Sequence, residues 1–214
     1  MRNDALLTTA LVAGALAATP PILFSVYLAT RLRGIVSVLQ GLVRGIDTTM
    51  DLIGRAVMWL SLAMVVLQVA IVLLRYVFGE GRVFLQEAML YMNGALFLAA
   101  SAYTLLHDGH VRVDIVYRSA SPRTKAIIDI AGAYLFLIPV VTVLFAVSFP
   151  YVRQSWLFGE RSRETGGIPF VYGLKTFILV FCVLLFFQGL SLTIRNLMRL
   201  AGIERLPASQ ATMA

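Results

Sequence analysis

The stretch IAGAYLFLIPVVTVLFAVSFPYV, residues 130–152, runs for 23 positions without a charged side chain. A bilayer core about 30 Å thick is crossed by roughly 20 apolar residues in a helix that rises 1.5 Å per residue. Further charge-free runs of comparable length lie at 56–74, 88–106 and 176–194. Together these runs predict an all-α integral membrane protein with a four-helix transmembrane core.

The composition agrees with a membrane location. Hydrophobic residues make up 59% and charged residues 14% of the 214 positions, whereas soluble proteins have about half apolar and a quarter charged residues. The polar connections near 75–87, 107–125 and 153–169 are too short for a catalytic domain, so we expect no enzyme. The net charge of +7 comes from basic residues that flank apolar runs, which favours contact with lipid over nucleic acid.

The sequence divides into four parts. They are an N-terminal hydrophobic segment at 1–30, an amphipathic interfacial helix at 34–55, the transmembrane core at 56–200 and a cytoplasmic tail at 201–214. Within the core, helices are expected at about 56–74, 88–106, 126–152 and 170–194.

The segment 34–55 has apolar residues at three- and four-residue steps, which is typical of an amphipathic helix in the membrane interface. The opposite, polar face carries Gln40, Arg44, Asp47, Thr48, Asp51 and Arg55. Asp51 and Arg55 are correctly ordered for an i,i+4 ion pair. The alternative is a cytosolic leader to the next helix.

The first 30 residues allow three interpretations. The uncharged run 5–30 is long enough to span, although Pro20 and Pro21 interrupt it, and neighbouring helices can tolerate such a kink. A signal peptide with a cleavage site near Ala17 and an over-assigned start are the alternatives. We favour an additional membrane helix.

The distribution of basic residues predicts the orientation. Eleven lie in the segments before, midway through and after the core: Arg31, Arg33, Arg44, Arg55, Arg112, Arg118, Arg123, Lys125, Arg195, Arg199 and Arg205. Six lie in the other two connections: Arg75, Arg82, Arg153, Arg161, Arg163 and Lys175. The positive-inside rule therefore places both ends of the core in the cytoplasm of a bacterial inner-membrane protein.

The sequence lacks the residues that nucleotide binding, haem binding and metal binding require. No phosphate-binding loop with Lys and Ser or Thr at the required spacing is present, and no histidine lies within a helix to bind haem. His107 and His110 are three apart, but a loop at the headgroup level is a better interpretation than a metal site. We therefore expect no cofactor and no metal.

The charge-free middles of the helices also offer no ion pathway of the usual kind. The polar residues there, which we expect to form hydrogen bonds between helices, are Gln68, Asn93, Ser101, Thr142 and Gln188. The core is therefore expected to pack against a partner.

Three short strings resemble the small membrane subunit, DctQ-like, of the tripartite ATP-independent periplasmic (TRAP) transporters. They are LRYVFG at 74–79, LQE at 85–87 and HVRVD at 110–114. The resemblance extends from about Thr48 to Leu200. The run at 5–30 is unusual for the family, and the stretch 160–169 resembles one branch of the family more than the sialic-acid branch.

This resemblance implies a scaffold subunit without an active site, which braces a large permease subunit for ion-coupled uptake of an organic acid. A periplasmic binding protein would deliver the substrate. Two other functions remain open: the membrane anchor of a redox complex, and a self-sufficient small transporter that works as a homo-oligomer.

Six residues are candidates for interface or structural roles: Arg75, Glu87, His110, Arg112, Asp114 and Lys175. Glu87 is expected to pair either with Arg75 or with a basic residue of a partner subunit. His110, Arg112 and Asp114 would share one face in an extended backbone and bind a partner loop. Alternatively, Arg112 contacts lipid phosphate and Asp114 caps the following helix. Lys175 lies close to the interface, where its long side chain can reach polar groups.

Overall fold

The computed structural model describes residues 33–110, 117 and 120–203. These residues form helices and no strand: α1 (Arg33–Tyr76), α2 (Val83–Leu106), α3 (Pro122–Gly132), α4 (Ile138–Phe158) and α5 (Val171–Leu200). A π-helical turn, Ala133–Leu137, joins α3 to α4. The predicted segment 1–30, most of the tail at 201–214, and the candidates Arg112 and Asp114 lie outside the described residues.

Four stretches of the described chain are long and apolar enough to cross a membrane: Val36–Tyr76, Val83–Leu106, Pro122–Phe158 and Val171–Leu200. The predicted all-α membrane fold is therefore confirmed. The helices extend beyond the charge-free runs because a helix continues past the hydrocarbon core, where charged side chains are hydrated.

Helix α1 joins the predicted interfacial segment and the first predicted spanning helix in one element. Its 44 residues correspond to a length of about 66 Å at 1.5 Å per residue, roughly twice the hydrocarbon thickness. Leu39 and Val43, near its start, are buried against Ile194 and Met198 of α5. The position of this first half relative to the membrane interface stays a prediction.

The π turn before α4 has a local cause in Pro139. Proline has no N–H, and its ring clashes with the carbonyl four residues earlier in a regular α-helix. Here the N–H of Ile138 donates instead to the carbonyl of Ala133, five residues back. Gly189 of α5 packs closely against this turn: a Cβ at that position would come within 2.8 Å of the Leu137 side chain.

Helix α5 is the centre of the bundle and α1 is its periphery. In the most apolar part of α5, 39% of the residues are buried, whereas the figure for α1 is 0%. The main core cluster joins side chains of α1, α2, α4 and α5: Met50, Ala99, Ala102, Leu106, Val141, Cys182, Leu184 and Leu185. The outward side chains of α1 are available to lipid or to another membrane protein.

Candidate functional sites at the two ends of the bundle

Polar contacts between elements gather at the two ends of the bundle. We call the end where α1 is followed by α2, and α4 by α5, the outer end; the opposite end is the inner end. The outer cluster consists of Glu87, Glu160, Ser162, Ile168 and Lys175. The inner cluster consists of Asp47, Gln188, Ser191 and Arg195.

In the outer cluster, Glu87 organises the connection between α4 and α5. One carboxylate oxygen accepts a hydrogen bond from the Ser162 hydroxyl, and the other accepts one from the Ile168 backbone N–H at 2.5 Å. The Ser162 hydroxyl in turn accepts from the Glu164 N–H at 3.1 Å. Gly167 is required beside this carboxylate, because a Cβ there would lie 2.7 Å from the nearer Glu87 oxygen. A charged side chain of α2 therefore fixes the shape of a loop that follows it by more than 70 residues.

Lys175 holds the beginning of the same loop. Its ammonium donates to Glu160 at 2.5 Å and lies 4.0 Å from the centroid of the Tyr151 ring. The Ser155 hydroxyl also donates to Glu160, at 2.6 Å. The hydrogen bond from Lys175, followed by the one from Ser155, lowers the pKa of the Glu160 carboxyl below its usual value. The carboxylate therefore stays ionised, and it connects the end of α4 to the start of α5.

Arg75 does not take part in this arrangement. Within the described part of the chain, no bond joins Arg75 to Glu87, and the local pair considered from the sequence is not formed. The neighbouring Arg82 is paired instead with Glu80, at 2.8 Å. Arg75 is exposed at the end of α1, where its guanidinium is accessible to a partner or to a lipid headgroup.

In the inner cluster, Asp47 of α1 accepts three hydrogen bonds from α5. The donors are the Ser191 hydroxyl at 2.7 Å, the Gln188 side-chain amide at 3.5 Å and the Arg195 guanidinium at 2.5 Å. Ser191 and Gln188 are buried, at 0% and 1% exposure. The sequence placed Asp47 on the polar face, opposite the apolar residues of this segment. In the structure it lies in line with the buried Val43 and Met50 and faces α5.

Asp51, one turn further along α1, adds a link to α2. It pairs with Arg55 at 2.8 Å, as the i,i+4 spacing predicted, and lies 3.2 Å from Nε2 of His107. The His107 ring packs on the Tyr103 ring at a centroid distance of 4.3 Å. His107 therefore contacts Asp51. Nε2 of His110 lies 3.3 Å from the Ser101 carbonyl oxygen, so the two histidines have different partners.

The start of α3 closes the inner end. Its cap is Ser121, whose hydroxyl oxygen accepts from the Thr124 N–H at 3.2 Å, with Pro122 in the first turn where a missing N–H costs nothing. Three residues of these sites were not predicted from the sequence: Ser121, Ser162 and Glu160. Ser followed by Pro is a helix-start signal that would have identified the first of them.

Comparison with known protein families gives a match over most of the transmembrane core. The family model described as "Tripartite ATP-independent periplasmic transporters, DctQ component" matches residues 64–200. No curated protein and no solved structure matches the chain. The matched range contains the whole outer cluster and the α5 side of the inner cluster, and it begins after Asp47 and Asp51.

Proposed function

Since the chain belongs to the DctQ family, the small membrane subunits of TRAP transporters, we propose that it is the fixed scaffold of such a transporter. In this role it braces the large permease subunit during ion-coupled uptake of an organic acid, which a periplasmic binding protein delivers. Four apolar helices and the family assign the chain to the inner membrane as a multi-pass protein. We propose that both ends of its core face the cytoplasm and that it is not an enzyme.

The observation that carries this proposal is the position of the polar contacts. The charge-free runs at 56–74, 88–106, 130–152 and 176–194 occupy the middle of the bundle, while the ion pairs of the described residues lie at its ends. The described part of the bundle is therefore tied together at its two ends and has no charged side chain in its middle. This arrangement suits a body that stays fixed while a neighbour moves.

Two surfaces are available to partners in this proposal. Along α1, the exposed side chains Trp59, Leu62 and Val66 present an apolar face that a membrane partner can cover. At the outer end, the loop shaped by Glu87 and Lys175 exposes Arg161 and Arg163 to the periplasm, where a binding protein docks. The stretch 110–114 stays a candidate for contact with a cytoplasmic loop of the large subunit.

Reconstitution into liposomes tests the proposal. We expect uptake of substrate when this chain, the large subunit and the binding protein are combined under an ion gradient, and none when this chain is omitted or present alone. Uptake by this chain alone would identify a self-sufficient transporter. Stoichiometric haem absorbance in the purified chain would identify a redox anchor. Full uptake by the large subunit and binding protein without this chain would refute the scaffold role.

The orientation has its own test. Cys182 is the only cysteine and is buried, so a Cys182→Ala background is free of native thiols. Arg163→Cys in this background should react with a membrane-impermeant maleimide applied to spheroplasts, and Arg199→Cys should react only after lysis. The reverse pattern would place the core ends in the periplasm.

A further inference from the structure

An open cavity of about 870 Å³ lies at the inner end, between the end of α2, the start of α3 and the end of α5. One part of its wall is apolar, with Leu105, Ala126 and Leu192. Another part carries cationic side chains. A ligand that fills both parts has an apolar portion next to an anionic one, as a phospholipid does.

Three cations of the wall have no carboxylate partner among the described residues: Arg123, Lys125 and Arg199. Lys125 lies 5.3 Å from the centroid of the Tyr117 ring, and Arg199 donates one hydrogen bond to the Asn196 side chain at 3.1 Å. A guanidinium has five N–H donors and an ammonium has three, so most of their donors remain available.

The other charged groups of the wall leave these cations in excess. The fourth cation, Arg195, is already neutralised by Asp47. Two carboxylates, Asp108 and Asp129, also line the cavity, and Asp129 accepts a hydrogen bond from the Tyr117 hydroxyl at 3.0 Å. With Arg195 set aside, the described part of the wall contains three cations and two carboxylates, so a phosphate diester can be accepted without reversing its charge.

Gln188 adds an observation that does not depend on charge. It lines the cavity and is 1% exposed, yet its Oε1 has no hydrogen-bond partner among the described residues. Because the amide nitrogen is directed at the Asp47 carboxylate, the side chain cannot turn over to satisfy the oxygen. Unsatisfied buried acceptors are uncommon in proteins. The oxygen has almost no accessible surface, so a hydroxyl of a ligand in the cavity can supply the missing bond only after a small shift of the Gln188 side chain.

From the cations, the apolar wall and the unsatisfied amide oxygen, we infer that this cavity binds an anionic phospholipid of the phosphatidylglycerol type. Arg123, Lys125 and Arg199 bind the phosphate, and a glycerol hydroxyl donates to Oε1 of Gln188. Basic pockets between transmembrane helices on the cytoplasmic side are suited to anionic head groups. All residues of the site belong to this chain, so the inference does not depend on the proposed scaffold role.

Native mass spectrometry of the delipidated full chain tests the inference, with dioleoylphosphatidylglycerol added in detergent. The triple variant Arg123→Gln, Lys125→Gln, Arg199→Gln should bind this lipid at least tenfold more weakly than wild type. The control Arg75→Gln, Arg153→Gln, Arg161→Gln removes three exposed cations of the outer end and should change binding less than twofold. Unchanged binding by the first variant, or equal loss in both, would overturn the site.

The hydroxyl bond is tested with dioleoylphosphatidylmethanol, which keeps the phosphate charge and lacks the glycerol hydroxyls. Wild type should prefer phosphatidylglycerol severalfold, and Gln188→Leu should abolish that preference while both lipids still bind. No preference in wild type contradicts the inference. If the triple variant of the inner cations released the large subunit but bound lipid as wild type does, the lipid site would be refuted. The cavity would then be assigned to an acidic segment of a partner protein.

Discussion

The outer and inner clusters both centre on a carboxylate that accepts several hydrogen bonds, but they act on different kinds of structure. Glu87 binds a serine hydroxyl and a backbone N–H of a connecting loop. Asp47 binds three side chains on one helix. The outer cluster therefore determines the shape of a surface, whereas the inner cluster determines whether two helices stay together.

The difference follows from how the two parts of the chain are buried. The most apolar part of α1 contains no buried residue, whereas 39% of the residues are buried in the corresponding part of α5. Lipid solvates an apolar helix as well as a neighbouring helix does. Apolar contact alone therefore adds little to its attachment within the membrane. We infer that polar contacts at the inner end supply much of the attachment, and that the outer end can vary without loss of the fold.

The largest expected effect is at Asp47. Asp47→Ala leaves the Arg195 guanidinium without its counter-ion and removes the acceptor used by Ser191. Breaking a buried ion pair costs roughly 3 to 5 kcal/mol, and we expect about 3 kcal/mol because Asp47 is partly exposed, at 25%. Unfolding in SDS followed by circular dichroism measures this. Glu80→Gln, which breaks the exposed pair with Arg82, is the control and should cost less than about 1 kcal/mol.

A second test compares two glycines of α1. Gly54 packs against Tyr103 of α2 so closely that a Cβ would lie 2.5 Å from the Tyr103 Cβ, whereas nothing lies within 4 Å of a Cβ at Gly45. Gly54→Ala should therefore destabilise the bundle by about 2 kcal/mol through overpacking. Gly45→Ala should stabilise it by about 0.5 to 1 kcal/mol through helix propensity. If both substitutions changed the free energy of unfolding in the same direction in the SDS assay, α1 would not pack closely on α2 at Gly54.

Glu87→Gln should affect the outer surface and leave the bundle intact. The amide nitrogen cannot accept a hydrogen bond, so one of the two loop contacts is lost at a cost of about 1.5 kcal/mol. We expect faster hydrogen exchange in residues 159–170, an unchanged helical circular dichroism signal, and weaker co-purification of the large subunit or slower uptake. Glu164→Gln changes the same loop at an exposed position and is the matched control. Equal exchange in both variants would contradict an organising role for Glu87.

The sequence predicts the fold well because bilayer thickness imposes a length on each apolar run. The same periodicity misplaced Asp47, since it assigns apolar positions to packing faces and polar positions to solvent. Asp47 faces inward because α5 presents Ser191 and Arg195 at the same level, a match between distant segments that no local pattern contains. The π turn at 133–137 was not predicted either, although Pro139 is its cause.

Only some residues of the candidate sites were predicted, again because contacts between distant segments leave no local sequence pattern. The resemblance drew attention to Glu87, but one of its partners is a backbone N–H, which leaves no trace in residue type. Among the polar residues expected to bond between helices, Gln188 does so, while the hydroxyls of Ser101 and Thr142 donate to carbonyls of their own helices. A short hydroxyl side chain reaches its own preceding turn more easily than a neighbouring helix.

The smallest expected effect is the pH dependence of the outer loop. The pKa of Glu160 is lower in the folded chain than its usual value of 4.5, so its contribution is complete above pH 4.5 and is lost as the pH falls through the folded pKa. Trp156, which donates to Thr176 at 2.9 Å, reports on this region by fluorescence in a Trp59→Phe background. Lys175→Met removes the main cause of the lowered pKa and should move the fluorescence transition to higher pH. Glu160→Gln should abolish the transition. A midpoint unaffected by Lys175→Met would mean that the ammonium does not hold the loop, and the outer cluster would then depend on Glu87 alone.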